Sequence, residues 1–362
     1  MKNTFGDSIS ITLFGESHGT AIGAVLDGVA PGIKVDDDFI KKQLSLRRPQ
    51  GVISTSRREE DKYTIVSGVL DGFTCGTPIC IMIENSDVQS ADYNCLKDLP
   101  RPSHADFTAR EKYHGFENAA GGGHFSGRIT AAIVAAAAII LPALNRKGIY
   151  IGTHIKKIAN LTDRDFCDYK EDIISLSDKS FAVLDPDLED DMNKVILSAA
   201  KDGDSVGGVL ETAVYGMPSG IGEPWFDTAE GKLAHALFSI PAVKAIEFGT
   251  GFGFADLRGS EANDVFTVKD GRIITETNNN GGILGGITSG MPILLRCAVK
   301  PTPTIGKPQK TVDMKTLSEQ QIVAAGRHDP CIVHRARVVI DSITAITISD
   351  MLAMRFGTDW LA

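Results

Sequence analysis

The chain has 362 residues, 43% of them hydrophobic and 23% charged, with a formal net charge of −9. This composition supports a sizeable core and excludes extended disorder. The acidic balance excludes a general nucleic-acid binder, whose footprint is basic, but leaves room for a local arginine cluster around a small anion.

SISITLFGES, near the start, alternates as a strand, and AIGAVLDGVAPG continues with a second strand and a Pro-Gly turn. DDDFIKKQLSLRRP reads as a helix, with aspartates at its start, basic residues at its end and Pro49 after it. YTIVSGVLDGFTCGTPICIMIEN reads as two strands joined by a glycine-rich turn. Ser86 to Gly123 has little periodicity and reads as a long irregular loop, a length that points to function or disorder. The run Ile129–Leu144, apolar on all faces and ending at Pro142, reads as a buried core helix, too short for a membrane span. GIYIGTHIKKIAN reads as a strand, DLEDDMNKVILSAAKDGD as an amphipathic helix and SVGGVLETAVYGMP as a strand. TAEGKLAHALFSIPAVKAIEFGTGF reads as a helix leading into a strand, and GGILGGITSGMPILLRCAVKP as a glycine-rich turn with a strand. The last helix starts near Ala336. No repeat, linker or composition break divides the chain, and strands and helices do not alternate strictly. The expectation is one α+β domain, residues 1–362.

The six cysteines form no C-x-x-C pair, and MKNTFGDSIS lacks an apolar run. The expectation is free thiols in a reducing, cytoplasmic compartment, with no membrane segment and no metal site.

Several polar stretches carry potential chemistry. Gly15-Glu16-Ser17-His18-Gly19 is, taken alone, a strand-ending turn whose glycines supply positive φ. Arg101-Pro102-Ser103-His104-Ala105-Asp106 holds an anion-binding fork and a proton-transfer group, but alone reads as a polar loop with an Arg–Asp pair. Gly121-Gly122-Gly123-His124-Phe125-Ser126-Gly127-Arg128 runs into the alanine helix and is equally a flexible turn or an anion cradle. Gly326-Arg327-His328-Asp329-Pro330 is a charged trio in a loop. Arg47 and Arg48 end a helix, where the dipole favours them. Lys300-Pro301-Thr302-Pro303-Thr304 offers a cation and two hydroxyls to a phosphate. Together these histidines, arginines and glycine cradles, without a metal pattern, point to an enzyme acting on a phosphorylated, polyanionic small molecule.

In order along nearly the whole chain stand FGESHG (14–19), Arg47-Arg48-Pro49, RREED (57–61), IEN (83–85), RPSHAD (101–106), AAGGGHFSGR (119–128), GDSVGG (203–208), GEPWFD (222–227), SIPAVKAIEFG (239–249), NNGGILGGITSG (279–290), KPTPT (300–304) and GRHDPC (326–331). This series closely resembles the chorismate synthase family. The resemblance implies a β-α-β sandwich, with helices between two antiparallel sheets, assembled as a homotetramer. It implies an anti-1,4-elimination of phosphate from 5-enolpyruvylshikimate 3-phosphate with reduced FMN and no net redox change. NADPH is a candidate reductant.

Carried over by motif, the resemblance implies His18 at the leaving phosphate, His104 beside the flavin and Asp329 as a base on the flavin side. It implies that Arg47, Arg101, Ser126, Arg128 and Arg327 bind substrate. For FMN it points to His124, Phe125, Ser126, Pro241, Ala242, Gly285, Lys300, Pro301, Thr302, Pro303, Thr304 and Arg327. The chain departs from the family pattern where RPSHAD replaces the usual RPGHAD, and where GGGHFSGRIT replaces GGGRSSARET.

Overall fold

The computed structural model describes residues 2–49, 51, 53–54, 60–85, 98–323 and 329–362. Strands β1 (Thr4–Phe5), β2 (Ser10–Gly15) and β3 (Ala21–Asp27) open the chain, and helix α1 (Asp37–Arg47) follows. Asp36 caps α1 by accepting from the Phe39 N–H at 3.0 Å, with Asp37 and Asp38 in the first turn and Arg47 in the last. Strand β4 (Tyr63–Ser67), the small hairpin β5 (Val69–Leu70) and β6 (Phe73–Thr74), and β7 (Ile79–Glu84) come next. The first sheet is antiparallel, in the order β1-β2-β3-β7-β4.

After α2 (Asp106–Tyr113) comes α3 (Thr130–Arg146). The second sheet is built from β8 (Tyr150–Ile158), β9 (Leu161–Thr162), β10 (Gly208–Tyr215), β11 (Val243–Phe248) and β16 (Ile293–Val299). It is also antiparallel, in the order β11-β16-β10-β8-β9. Between its strands lie α4 (Tyr169–Leu176), α5 (Leu188–Lys201), α6 (Ala229–Leu237), the one-turn α7 (Gly259–Ala262) and the hairpins β12 (Phe266–Lys269) with β13 (Arg272–Thr275) and β14 (Ile283–Leu284) with β15 (Ile287–Thr288). A hairpin of β17 (Gln309–Asp313) and β18 (Ser318–Ile322) precedes the last helix, α8 (Val333–Phe356).

The layers follow from burial. α3 packs on β3 and β7 of the first sheet, α8 packs on β8 and β10 of the second, and α3 packs on α8 between them. This is the expected sandwich of helices between two antiparallel sheets. The alanines from Ala135 to Ala138 are fully buried, which lets the helices and the sheet approach closely. The helical stretch Gly127–Arg146, which contains α3, is the one among the described residues long and apolar enough to cross a membrane, but its apolar faces are buried against protein. It also runs through Pro142 instead of ending there. The proline removes one backbone bond near the helix end, and full burial of Ala143 and Leu144 offsets that loss.

Other differences from the sequence expectations have local causes. α2 falls inside the segment read as irregular. Only Ala109 of its eight residues is buried, so it carries no apolar stripe to detect. α4 and the hairpins β12–β13 and β17–β18 are likewise absent from the sequence reading, and α8 begins at Val333, three residues before Ala336.

One buried charge ties the last helix to the first sheet. Asp350 of α8 accepts the N–H groups of Asp7 (3.0 Å), Ser8 (2.7 Å) and Ile9 (3.0 Å), and Lys232 of α6 pairs with its other oxygen at 3.1 Å. These bonds fix the entry to β2, whose far end carries the FGESHG turn. Asp350→Ala leaves three backbone donors, that of Ile9 buried, and Lys232 without this acceptor. It should lower stability by about 3–5 kcal/mol, read as a fall in the urea midpoint at unchanged m.

Candidate active site

FGESHG forms the β2–β3 hairpin turn. Gly15 has φ +92°, and a side chain there would collide with the Ala21 carbonyl. The Gly19 N–H donates to the Glu16 carbonyl at 3.0 Å. Asn85, just past β7, clamps both ends of the turn, its amide Nδ2 donating to the Glu16 and Gly19 carbonyls at 2.9 Å each.

The triple glycine presses against this turn. Gly121, Gly122 and Gly123 have φ of +62°, +86° and +54°. The Ser17 N–H donates to the Gly123 carbonyl at 3.1 Å and its hydroxyl to the Gly121 carbonyl at 3.0 Å. The His18 imidazole lies where a Cβ of residue 121 would stand, so glycine is required there. His124 reaches the Gly15 carbonyl through Nδ1 at 2.7 Å. A carbonyl only accepts, so Nδ1 carries the proton and this side of His124 holds the hairpin. Phe125 is partly exposed and packs edge-on against Tyr113. The Ser126 hydroxyl accepts from the Arg128 N–H at 3.3 Å, opening the approach to α3.

Beneath these loops two arginines share one buried carboxylate. Asp61 has a fully buried side chain and a φ of +48°. It pairs with Arg128 and, at 3.4 Å, with Arg47. Arg47 also donates to the Thr130 hydroxyl (2.9 Å) and the Gly127 carbonyl (2.9 Å). Arg128 donates through Nε to the Asn85 side-chain oxygen at 3.2 Å. Arg47 is therefore also built into the frame of the site.

RPSHAD closes one side. Arg101 and Asp106 form the paired fork, with Nε and NH2 each 2.8 Å from the carboxylate. The same guanidinium lies beside Gly122. His104 uses both ring nitrogens. Nδ1 faces the Pro102 carbonyl at 3.1 Å and Nε2 the Thr304 hydroxyl at 2.8 Å. The carbonyl fixes the proton on Nδ1, so in the neutral ring Thr304 donates to Nε2. Burial, and then the charge of Arg101, hold His104 below its ordinary pKa, so the ring is neutral near pH 7.

The KPTPT loop docks here. Lys300 donates to the Ser103 carbonyl at 2.6 Å, and its N–H to the Ala242 carbonyl at 3.0 Å. Ala242, next to Pro241, has φ +75°. Burial, and then the charge of the neighbouring Lys244, lower the Lys300 pKa. The Thr302 hydroxyl is buried with no hydrogen-bond partner among the described residues, while the Thr302 carbonyl accepts from Ser205 at 2.7 Å. The Val206 N–H donates to the Pro330 carbonyl at 2.8 Å. Asp329 pairs with Arg335 at 2.8 Å, and Arg335 donates to the Arg47 carbonyl at 3.0 Å.

The contacts thus close a circuit. It runs from the His18 turn through the triple glycine, Arg101, His104, the KPTPT loop, Ser205 and Val206, Pro330 and Asp329, Arg335, Arg47, Asp61, Arg128 and Asn85 back to the turn. Arg327 lies outside the described residues. Gly285 is at the tip of the β14–β15 turn, with φ +61° and open space around its Cα. An open cavity of about 400 Å³ elsewhere, lined by Asp165, Tyr169, Glu211 and Arg296 among others, includes Gly249 and Asn279 of the motif series but none of the residues assigned to the site. The sequence reading missed Asp61, Asn85, Arg335 and Lys244. Asp61 and Asn85 stand in RREED and IEN, and the signal was a carboxylate or amide at the edge of a basic or apolar run.

A family model described as chorismate synthase matches residues 9–353. The chain is similar to the chorismate synthase of Pyrococcus abyssi, 46% identical over 352 residues that cover 97% of each chain. It is similar to that of Thermococcus gammatolerans, 44% identical over 350 residues, again 97% of each. Its fold is similar to a crystal structure of chorismate synthase, with a TM-score of 0.78 and 28% identity, covering 98% of this chain and 94% of that one.

Ser103, where the family usually has glycine, has φ +59°. That conformation costs an L-residue about 1–2 kcal/mol, and glycine's extra chain entropy offsets about half of it. Ser103→Gly should therefore raise stability by up to about 1 kcal/mol, measured as an increased urea midpoint.

Proposed function

The chain belongs to the chorismate synthase family, and from that premise we propose how its residues carry out the reaction. The reaction is the anti-1,4-elimination of phosphate from 5-enolpyruvylshikimate 3-phosphate, giving chorismate at the final step of the shikimate pathway. The enzyme is a carbon–oxygen lyase acting on a phosphate. The observation that carries the assignment of roles is the closed circuit of motif loops described above.

The cofactor we assign is FMN in its reduced form. Three features support the fit: the buried, unpartnered Thr302 hydroxyl, the convergence of Lys300 and Lys244, and the open space at Gly285. Pro241, Ala242, Gly285 and Lys300 to Thr304 would hold it, with His124, Phe125, Ser126 and Arg327 completing the set. When bound, reduced flavin supplies the reversible electron or hydrogen transfer that no side chain provides for an unactivated C–H bond.

The chain's own groups handle charge and protons. His18 is assigned to the leaving phosphate as acid or charge stabiliser. Arg101, Arg128, Arg47 and Arg327, with Ser126, are assigned to the substrate's phosphate and carboxylates. Arg47 and Arg128 meet on the buried Asp61 carboxylate, which fixes where their guanidiniums stand. Neutral His104, with Nδ1 protonated, is assigned to the flavin side, where it preserves the protonation state of its surroundings. Asp329, adjacent to Arg335, is assigned as proton acceptor.

We assign the whole chain to one domain, because a single hydrophobic cluster runs from Ile9 to Leu361 and includes both sheets. A homotetramer is supported by apolar side chains left exposed, among them Phe252, Phe266, Val268 and Ile273. The proposed location is the cytoplasm, and NADPH is the proposed source of reducing equivalents.

His18→Ala, His104→Ala and Asp329→Ala should each lower kcat for anaerobic phosphate release by about 10²-fold or more, the scale of acid–base groups. Circular dichroism should remain unchanged. Wild-type rates in all three would refute the assigned roles.

A further inference from the structure

Asn85 makes an unusual set of contacts for one amide. Its Nδ2 donates to the carbonyls of Glu16 and Gly19, which flank Ser17 and His18, at 2.9 Å each. Its Oδ1 accepts from Arg128 Nε at 3.2 Å. Its orientation is forced, because a flipped amide would set oxygen against two carbonyls and N–H₂ against a guanidinium. The backbone beneath it is equally fixed. The Asn85 N–H donates to the Thr20 carbonyl at 3.2 Å, and β7 buries Ile79, Ile81 and Ile83 just before it. On its other edge Arg128 is held by Asp61.

We infer that Asn85 is a positioning residue for the elimination, holding the His18 turn and the Arg128 guanidinium in one fixed relation so that both act on the same anionic group. The inference rests on the roles assigned above to His18 and Arg128. A group that leaves as phosphate needs its proton or charge partner and its guanidinium in place together. A misplacement near 1 Å in such an arrangement costs about 10²-fold in rate. An amide spanning both ends of a turn resists that displacement where a single bond would not.

The test is a double-mutant cycle in anaerobic steady-state kinetics with reduced FMN. Asn85→Ala removes all three contacts. Asn85→Asp keeps the size and the acceptor toward Arg128 but loses both donors to the turn, and serves if the alanine variant folds poorly. Each variant should lower kcat at least about tenfold, with KM changed less than about threefold. In a His18→Ala background the same changes should cost less than about threefold, because the group being positioned is already gone. Equal losses in both backgrounds would reduce Asn85 to a general structural part, and wild-type kcat in Asn85→Asp would overturn the inference. Wild-type kcat in His18→Ala alone would instead overturn the underlying reading of the site. A second readout uses the flavin-free protein. Inorganic phosphate titrated against the His18 ring resonances should bind several-fold more weakly to Asn85→Ala, and an unchanged dissociation constant would contradict the inference.

Discussion

The carboxylate of Asp61 holds the site together. It is fully buried, and a lone buried carboxylate would be costly. Two guanidiniums make its burial tolerable, Arg47 from the end of α1 and Arg128 from the start of α3. Through them four elements meet at one point. Arg128 reaches Asn85 at the end of β7, and Arg335, at the start of α8, reaches the Arg47 carbonyl. The positive φ of Asp61 is the kind of local strain that persists only where surrounding contacts over-determine it. The pairing places two guanidiniums side by side in a chain whose net charge is −9.

The two histidines are held in different ways. His18 is on a turn pinned by Asn85 and pressed against the triple glycine. His104 is on the far side, neutral, with its tautomer set by the Pro102 carbonyl and its second nitrogen bonded to Thr304. His104 is thus held neutral by burial and the charges of Arg101 and Lys300, while the position of His18 is set by the turn that carries it.

Much of the fold was legible from periodicity, because its strands alternate and α3 is apolar on every face. Elements with little apolar burial were not, and α2, with one buried residue, is the clearest case. The motifs were legible one at a time. Their assembly was not, since the bonds that join them link residues as far apart as His104 and Thr304 or Arg47 and Arg335. The Arg101–Asp106 pair was expected and is present. Arg47 pairs with the buried Asp61, and His124 holds the hairpin through Nδ1. Neither arrangement is visible without knowing which carbonyl or carboxylate lies opposite.

The most direct test of the account is anaerobic turnover of 5-enolpyruvylshikimate 3-phosphate by the purified full chain with dithionite-reduced FMN. Phosphate and chorismate should appear in equal amounts, and none should form with oxidised FMN held free of reductant. No release with reduced FMN, or equal release with the oxidised form, would contradict it.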